Sequence, residues 1–386
     1  MIFRTIIAFM LLLSLTIQAR TQDLDLPENL PPIEVTTSEG VSDGVVYVST
    51  IQRGAPREDE PVYGQYLLVL DNEGKILEFQ EVRRNFNFGR MPDGNRYYYN
   101  FERDGPGRGA SSDGAYRILD RSFNILQEYR IFGEQLPTQA HEFLPLSNGN
   151  VLMLSQPLIV RNLTAFGGHE RALVSEAVIQ EINSDGNVVF AWRSWDHVLF
   201  TDTARFEELQ ISPPEAVSYM HVNALAVDLD GNIILSARRF NELIKINRTN
   251  GEIMWRMGGV NSRNNDFTFI DDPYDGFSGQ HHVQVLSNGN ILLFDNHTND
   301  PTVGSRAVEY AIDEENRTAT LVWSYESGRF APAMGSVQRL DNGNTLIGWG
   351  TAPRPNVTEV TMEGNIVYEL NLPESQITYR AYRFED

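Results

Sequence analysis

Five copies of one hairpin, a weaker second turn after several of them, and a near-regular spacing of the turn glycines predict an all-β chain. The architecture they predict is a six-bladed β-propeller of four-stranded antiparallel blades, carried behind an N-terminal signal peptide. The copies are RMPDGNRYYY, PLSNGNVLML, VDLDGNIILS, VLSNGNILLF and RLDNGNTLIG, with glycines at Gly94, Gly149, Gly231, Gly289 and Gly343. Each joins two alternating apolar runs through a Gly-Asn turn, which is a hairpin signal. Second turns follow at Asp185-Gly186, Asn250-Gly251 and Glu363-Gly364, so two hairpins in succession make a four-stranded unit. The pair VVYVST and QYLLVLDNEGKILEF supplies a further blade, and closing six units into a ring hides their edges. Tandem β-sandwiches also suit short strands, but recurrence of one turn at corresponding places favours the ring.

Residues 1–19 combine Arg4, an apolar run from Ile6 to Ile17 and Ala19 at a cleavage-like position, and read as a secretory signal. An uncleaved anchor is the alternative, although the run falls short of the ~20 residues that span a bilayer. A Pro- and acid-rich lead occupies 20–44 and the propeller domain 45–386. The chain carries 31 Lys+Arg against 52 Asp+Glu, a formal charge of −21, and its lysines are Lys75 and Lys245. That balance repels phosphate backbones and sets nucleic-acid binding aside, and insertion of the mature protein into a membrane is not expected. Zero cysteines exclude thiol nucleophiles, Cys-ligated metals and disulfides. Two interruptions, Trp195–Tyr219 with a short helix around Ala204–Leu209 and Gly258–Gly279, contain aromatics that can pack.

Eight residues before each turn glycine stand Phe86, His141, Asn223, His281 and Gly335, and His221 precedes Asn223 by two. In a propeller the first strand of each blade lines the central channel, so these positions converge at one end of the axis. The returning strand places Gln156 beside His141, Arg238 beside Asn223 and Asn296 beside His281. His141, His221, Asn223, Arg238 and His281 thus form one candidate pocket. Each has a plainer reading: a histidine at a strand start is often a hydrogen-bonded channel filler, and Arg238 beside Arg239 could be a surface pair. His282 should face away from His281, and His169, His197 and His297 should lie in solvent. Three histidines could also hold zinc, although Arg238 argues against a dication there.

His221-Val-Asn223 with Ser236-Ala-Arg238, Trp255-Arg-Met-Gly-Gly259, Gln280-His281 and the run Gly335 to Gly350 resemble the arylsulfate sulfotransferases, from about His141 to the C-terminus. These are secreted six-bladed propellers that move a sulfuryl group between phenols without a nucleotide donor. The resemblance implies His281 as a nucleophile that becomes sulfurylated, His221 as general acid/base, and His141, Asn223 and Arg238 as the groups holding the sulfate oxygens. It also implies ping-pong kinetics, an aryl sulfate and a phenol as small-molecule partners, no cofactor and no metal. The alternative is a non-catalytic propeller binding an anionic ligand or a partner protein.

Overall fold

The computed structural model describes residues 24–54, 61–102, 114–204, 206 and 216–385. The expected signal segment and most of the expected helix after Ala204 lie outside the described residues. Within them the chain is built of strands, with short 3-10 turns and no α-helix, and no helix is long and apolar enough to cross a membrane. Six sheets have four or five strands each. Their first strands are Asn85–Arg90, Thr138–Pro145, Val222–Val227, His281–Val285, Ser336–Arg339 and Ala381–Phe384. Each lies beside the next in that order, and the last returns to the first. The result is a propeller-like ring of antiparallel sheets.

One sheet is composed differently from the sequence expectation. VVYVST does not lead its blade: Val45–Ser49 is the second strand, paired on its inner side with the C-terminal strand through Val48 to Ala381 and Tyr47 to Tyr382. Chain end and chain start thus close one sheet. Two sheets gain an outer strand, Glu34–Thr37 antiparallel to Ile366–Asn371 and Thr268–Ile270 parallel to Thr318–Glu326.

The repeated turn follows from its residues. In every copy the glycine sits at a φ between 83° and 90°, a left-handed conformation that costs glycine nothing. The Asp or Asn before it accepts a bond from the backbone N–H two residues on, as Asp93 does from Asn95 at 2.9 Å and Asn288 from Asn290 at 3.0 Å. The asparagine after the glycine has a longer reach. Asn150, Asn290 and Asn344 donate to Glu181, Glu309 and Glu359 on the third strand of their own sheets, at 2.5, 2.6 and 2.7 Å. Those glutamates in turn meet Arg248, Arg339 and Arg383 of the following sheet. In three of the five copies the Gly-Asn turn thus joins an inter-sheet clamp, whereas Asn95 and Asn232 donate back to Asp93 and Asp230 of their own turns. Between sheets the core is apolar: Leu152, Ile179, Leu225 and Ile244 share one cluster, and Ala226, Leu243, Val283 and Leu293 share the next. Fully burying each large apolar side chain contributes about 1.5–3 kcal/mol.

The axis itself is filled by an ion pair. Arg380 donates Nη1 to Glu142 Oε1 at 2.7 Å and Nη2 to Glu142 Oε2 at 3.0 Å, with both side chains under 5% exposed. Removing one partner strands a buried charge. Glu142→Ala is expected to lower stability to urea by about 3–5 kcal/mol, with much of that recovered in Glu142→Gln combined with Arg380→Met. Urea unfolding of the three proteins checks it.

Candidate active site

His281 opens its strand and is 3% exposed. Its Nδ1 lies 2.6 Å from Asn296 Oδ1 on the neighbouring strand. Asn296 spends both amide hydrogens on backbone carbonyls, Ala331 O at 2.7 Å and Met334 O at 2.9 Å. Its oxygen must therefore accept, so the proton of the neutral imidazole sits on Nδ1. The Nε2 lone pair faces Met334 N–H at 3.3 Å, a long contact that holds it only weakly. Asn296 heads an Asn-His-Thr sequon, but its burial and its bonds to the site make it a structural amide in the folded chain.

The other expected residues gather around this imidazole. His141 lies on Thr138–Pro145 and meets His221 edge to face, with ring centroids 5.0 Å apart. Arg238 is half-buried, donates Nη2 to Pro332 O at 2.9 Å, and its backbone N bonds His221 O at 3.1 Å. Asn223 is fully buried, and one amide hydrogen goes to Gln280 O at 2.7 Å. Gln156 bonds Val222 O at 2.9 Å, tying the sheet led by Thr138–Pro145 to the one led by Val222–Val227.

The convergence does not come from a regular pleat. The first strands are bulged at Phe86–Gly89, Thr138–Phe143, Val222–Ala224 and His281–Val283. His221 has φ 52° and His282 φ 41°, left-handed values that a regular strand does not contain. His282 accepts Val337 N–H on Nδ1 at 3.1 Å and turns toward the next sheet. His169 and His197 are exposed as expected. His297 is not: it is 3% exposed, with its ring 4.6 Å from that of Tyr274 and its backbone N bonded to Asp295. The interruption Gly258–Gly279 folds back over it and removes it from solvent.

Burial dominates the electrostatics. It pushes His141 down to about 3, with help from the Arg380 and Arg238 guanidinium groups. It also holds His221 well below the usual imidazole range, with His141 and Arg238 adding to the effect. His281 is likewise depressed by burial and then by Arg238, partly opposed by the bond to Asn296. The site is thus three neutral imidazoles in the field of fixed guanidinium charge. Among the described residues no cluster of histidine and carboxylate ligands could hold a metal ion.

Two residues of the site, Tyr379 and Arg380, escaped the sequence reading. Tyr379 donates its hydroxyl to His141 O at 3.0 Å, and Arg380 donates to Asn223 O at 3.2 Å while gripping Glu142. Both stand at the head of the closing strand, which has no Gly-Asn turn to align. The signal that could have found them is the pairing of AYRF with VVYV.

A family model described as Arylsulfotransferase (ASST) matches residues 34–383. The chain belongs to the arylsulfotransferase family. Arylsulfate sulfotransferase AssT of Escherichia coli O6:H1 (strain CFT073) is 25% identical over 197 residues, 42% of this chain. That match spans 32% of the curated relative's length. A crystal structure of a protein of unknown function from Bacteroides caccae resembles this chain with a TM-score of 0.53 at 12% identity, covering 88% of this chain and 98% of that one, a likeness of fold alone.

Neutral buried histidines bind protons less readily folded than unfolded, so stability is gained above pH ~6.5 and lost as pH falls toward the folded value. For His141 the window runs from 6.5 down to about 3. Its share of the slope is about 1.4 kcal/mol per pH unit. Urea unfolding between pH 7 and 4 is expected to show this decline, and His141→Gln to flatten it by that amount.

Proposed function

We propose that the protein is an exported arylsulfate sulfotransferase, with residues 45–386 closing a six-bladed propeller behind a signal peptide at 1–19. It moves a sulfuryl group from an aryl sulfate to a phenol through a sulfohistidine at His281, with no nucleotide donor, cofactor or metal. The observation that carries this reading is the enforced tautomer of His281, whose Nε2 lone pair lies in the field of Arg238.

The steps balance on these residues. The His281 Nε2 lone pair forms the N–S bond as the S–O bond to the aryl group breaks. Nδ1–H remains on Asn296, which stabilises the positive charge left on the ring. His221 is neutral in the empty site, and a bound sulfate ester brings negative charge that offsets Arg238 and raises the proton affinity of His221. His221 then takes a proton from water and passes it to the departing phenolate, returning to the neutral form. In the second half His221 takes the proton of the acceptor phenol, the phenolate oxygen attacks sulfur, and the N–S bond breaks to restore His281. Sulfuryl transfer spreads charge over peripheral oxygens, which fixed donors stabilise. Arg238 supplies a guanidinium, and Asn223 supplies the amide hydrogen not spent on Gln280. His141, neutral with an unpartnered Nδ1, supplies a further ring nitrogen.

A non-catalytic anion-binding role rests on one contact, the Met334 N–H that occupies the His281 lone pair. Saturable aryl sulfate binding without turnover would favour it.

Incubation with 4-nitrophenyl sulfate is expected to add one SO₃ to the peptide bearing His281, and transfer to phenol is expected to vanish in His281→Ala. Intact transfer in that variant would end the reading. Asn296→Ala frees the tautomer and ring orientation, so kcat should fall about 10²-fold while KM changes little. Steady-state kinetics with the same donor measures the split.

A further inference from the structure

Two adjacent arginines stand in the turn that joins strand Ile233–Ala237 to strand Glu242–Ile246, and they are used differently. The backbone N–H groups of Arg238 and Arg239 donate to the carbonyls of His221 and Met220, at 3.1 and 3.0 Å. The Arg239 carbonyl is held too, by Ala204 N–H at 2.8 Å and by the Thr203 hydroxyl at 3.2 Å. Arg238 spends a side-chain hydrogen on Pro332 O, whereas Arg239 is exposed and meets no acceptor among the described residues. The acids next to this turn in the chain are already taken: Asp202, before Thr203, and Glu242, after Asn241, both pair with Arg256, at 2.8 and 2.6 Å.

The burial of the site residues shows which way a substrate must extend. His141, Asn223 and His281 are buried, whereas His221 and Arg238 keep solvent-accessible surface. A sulfate ester that reaches His281 therefore leaves its remaining atoms on the side of His221 and Arg238. In the proposed reaction His221 serves the ester oxygen, so the aryl ring continues past it toward the turn that carries Arg239. The Arg239 charge is felt there, because it adds to the depression of His221. Arg239 itself is lowered by loss of hydration, with no carboxylate beside it to offset the cost. A partly dehydrated guanidinium is relieved by an anion, and its planar fork matches a carboxylate. The chain carries a net charge of −21 and repels anions at long range, so a preference for one requires a local cation of this kind.

We propose that Arg239 is a specificity residue that selects aryl sulfates carrying a carboxylate on the ring. Arg238 holds the sulfuryl group that is transferred, and Arg239 pairs with the carboxylate that stays on the aryl ring. No bond is made or broken at Arg239. The inference rests on the sulfotransferase reading and adds to it the class of substrate.

The probes are 4-carboxyphenyl sulfate and the same compound with its carboxyl methylated, which keeps the ring and the position and loses the charge. Donor kcat/KM is measured for both with phenol as acceptor. The acid-to-methyl-ester ratio is expected to fall about fivefold in Arg239→Gln, to fall less in Arg239→Lys, which keeps the charge without the fork, and to shrink in the unaltered protein as NaCl rises from about 0.05 to about 0.5 M. Each ratio is taken within one protein, so partial loss of folded enzyme cancels. An unchanged ratio in Arg239→Gln, or an unaltered protein that favours the methylated donor, would overturn the proposal. Turnover of neither donor would end the sulfotransferase reading on its own. The Kd ratio of the same two compounds by calorimetry, in the unaltered protein and in Arg239→Gln, then decides the preference, and equal ratios refute it.

Discussion

The fork between Arg380 and Glu142 is the interaction on which the rest of the molecule turns. It joins the last strand of the chain to the sheet led by Thr138–Pro145 across the axis, and the partners are 238 positions apart in sequence. Glu142 also accepts Leu225 N–H and Arg380 also donates to Asn223 O, so the sheet led by Val222–Val227 is held by the same pair. Such a pair adds little net energy, because desolvation of both charges offsets their attraction. What it imposes is geometry: each charge requires the other, which aligns the closing strand with the strand Thr138–Pro145. Tyr379, one residue earlier, uses that alignment to bond His141 O.

The pair also sets the electrical character of the site. Arg380 helps depress His141, His281 and His282, and Arg238 adds to the effect on the first two and on His221. A nucleophilic imidazole must keep a lone pair, and burial beside a guanidinium keeps it at pH values where a free histidine is half protonated. Asn296 then decides which nitrogen carries it. Arg238 and Arg380 act on the charge alone, whereas Asn296 sets the tautomer and also favours the protonated ring.

How much of this was legible follows from the range of each signal. The hairpins were readable because Gly-Asn turns are local: a left-handed glycine and an Asx bond each need only a few neighbouring residues. Through the turn register, the same local geometry placed His141, Asn223 and His281 at equivalent positions, and it placed Asn296 beside His281. Arg380 and Tyr379 were not readable. The strand that carries them ends the chain, lacks the turn, and acquires meaning only when it pairs with Val45–Ser49. The bulge at His281–Val283 was not readable, because an extra residue in one strand leaves no mark on a period-2 pattern. His297 was misjudged because its cover comes from a loop whose path has no periodic pattern.

Burying charge on the axis divides it into two ends of different character. A channel lined only by apolar side chains would be continuous, with one dielectric environment from mouth to mouth. A salt bridge with both partners gripped from several sheets cannot be pushed aside by a small ligand, because displacement would strand two charges at several kcal/mol each. The histidine end can therefore differ from the far end, whose lining mixes apolar residues such as Leu144 and Val285 with Gln284, Gln338 and Tyr382 a few residues along the same strands. The alternation of a β-strand lets one segment serve both: His281 and Val285 belong to a single five-residue strand whose two ends face different chemistry.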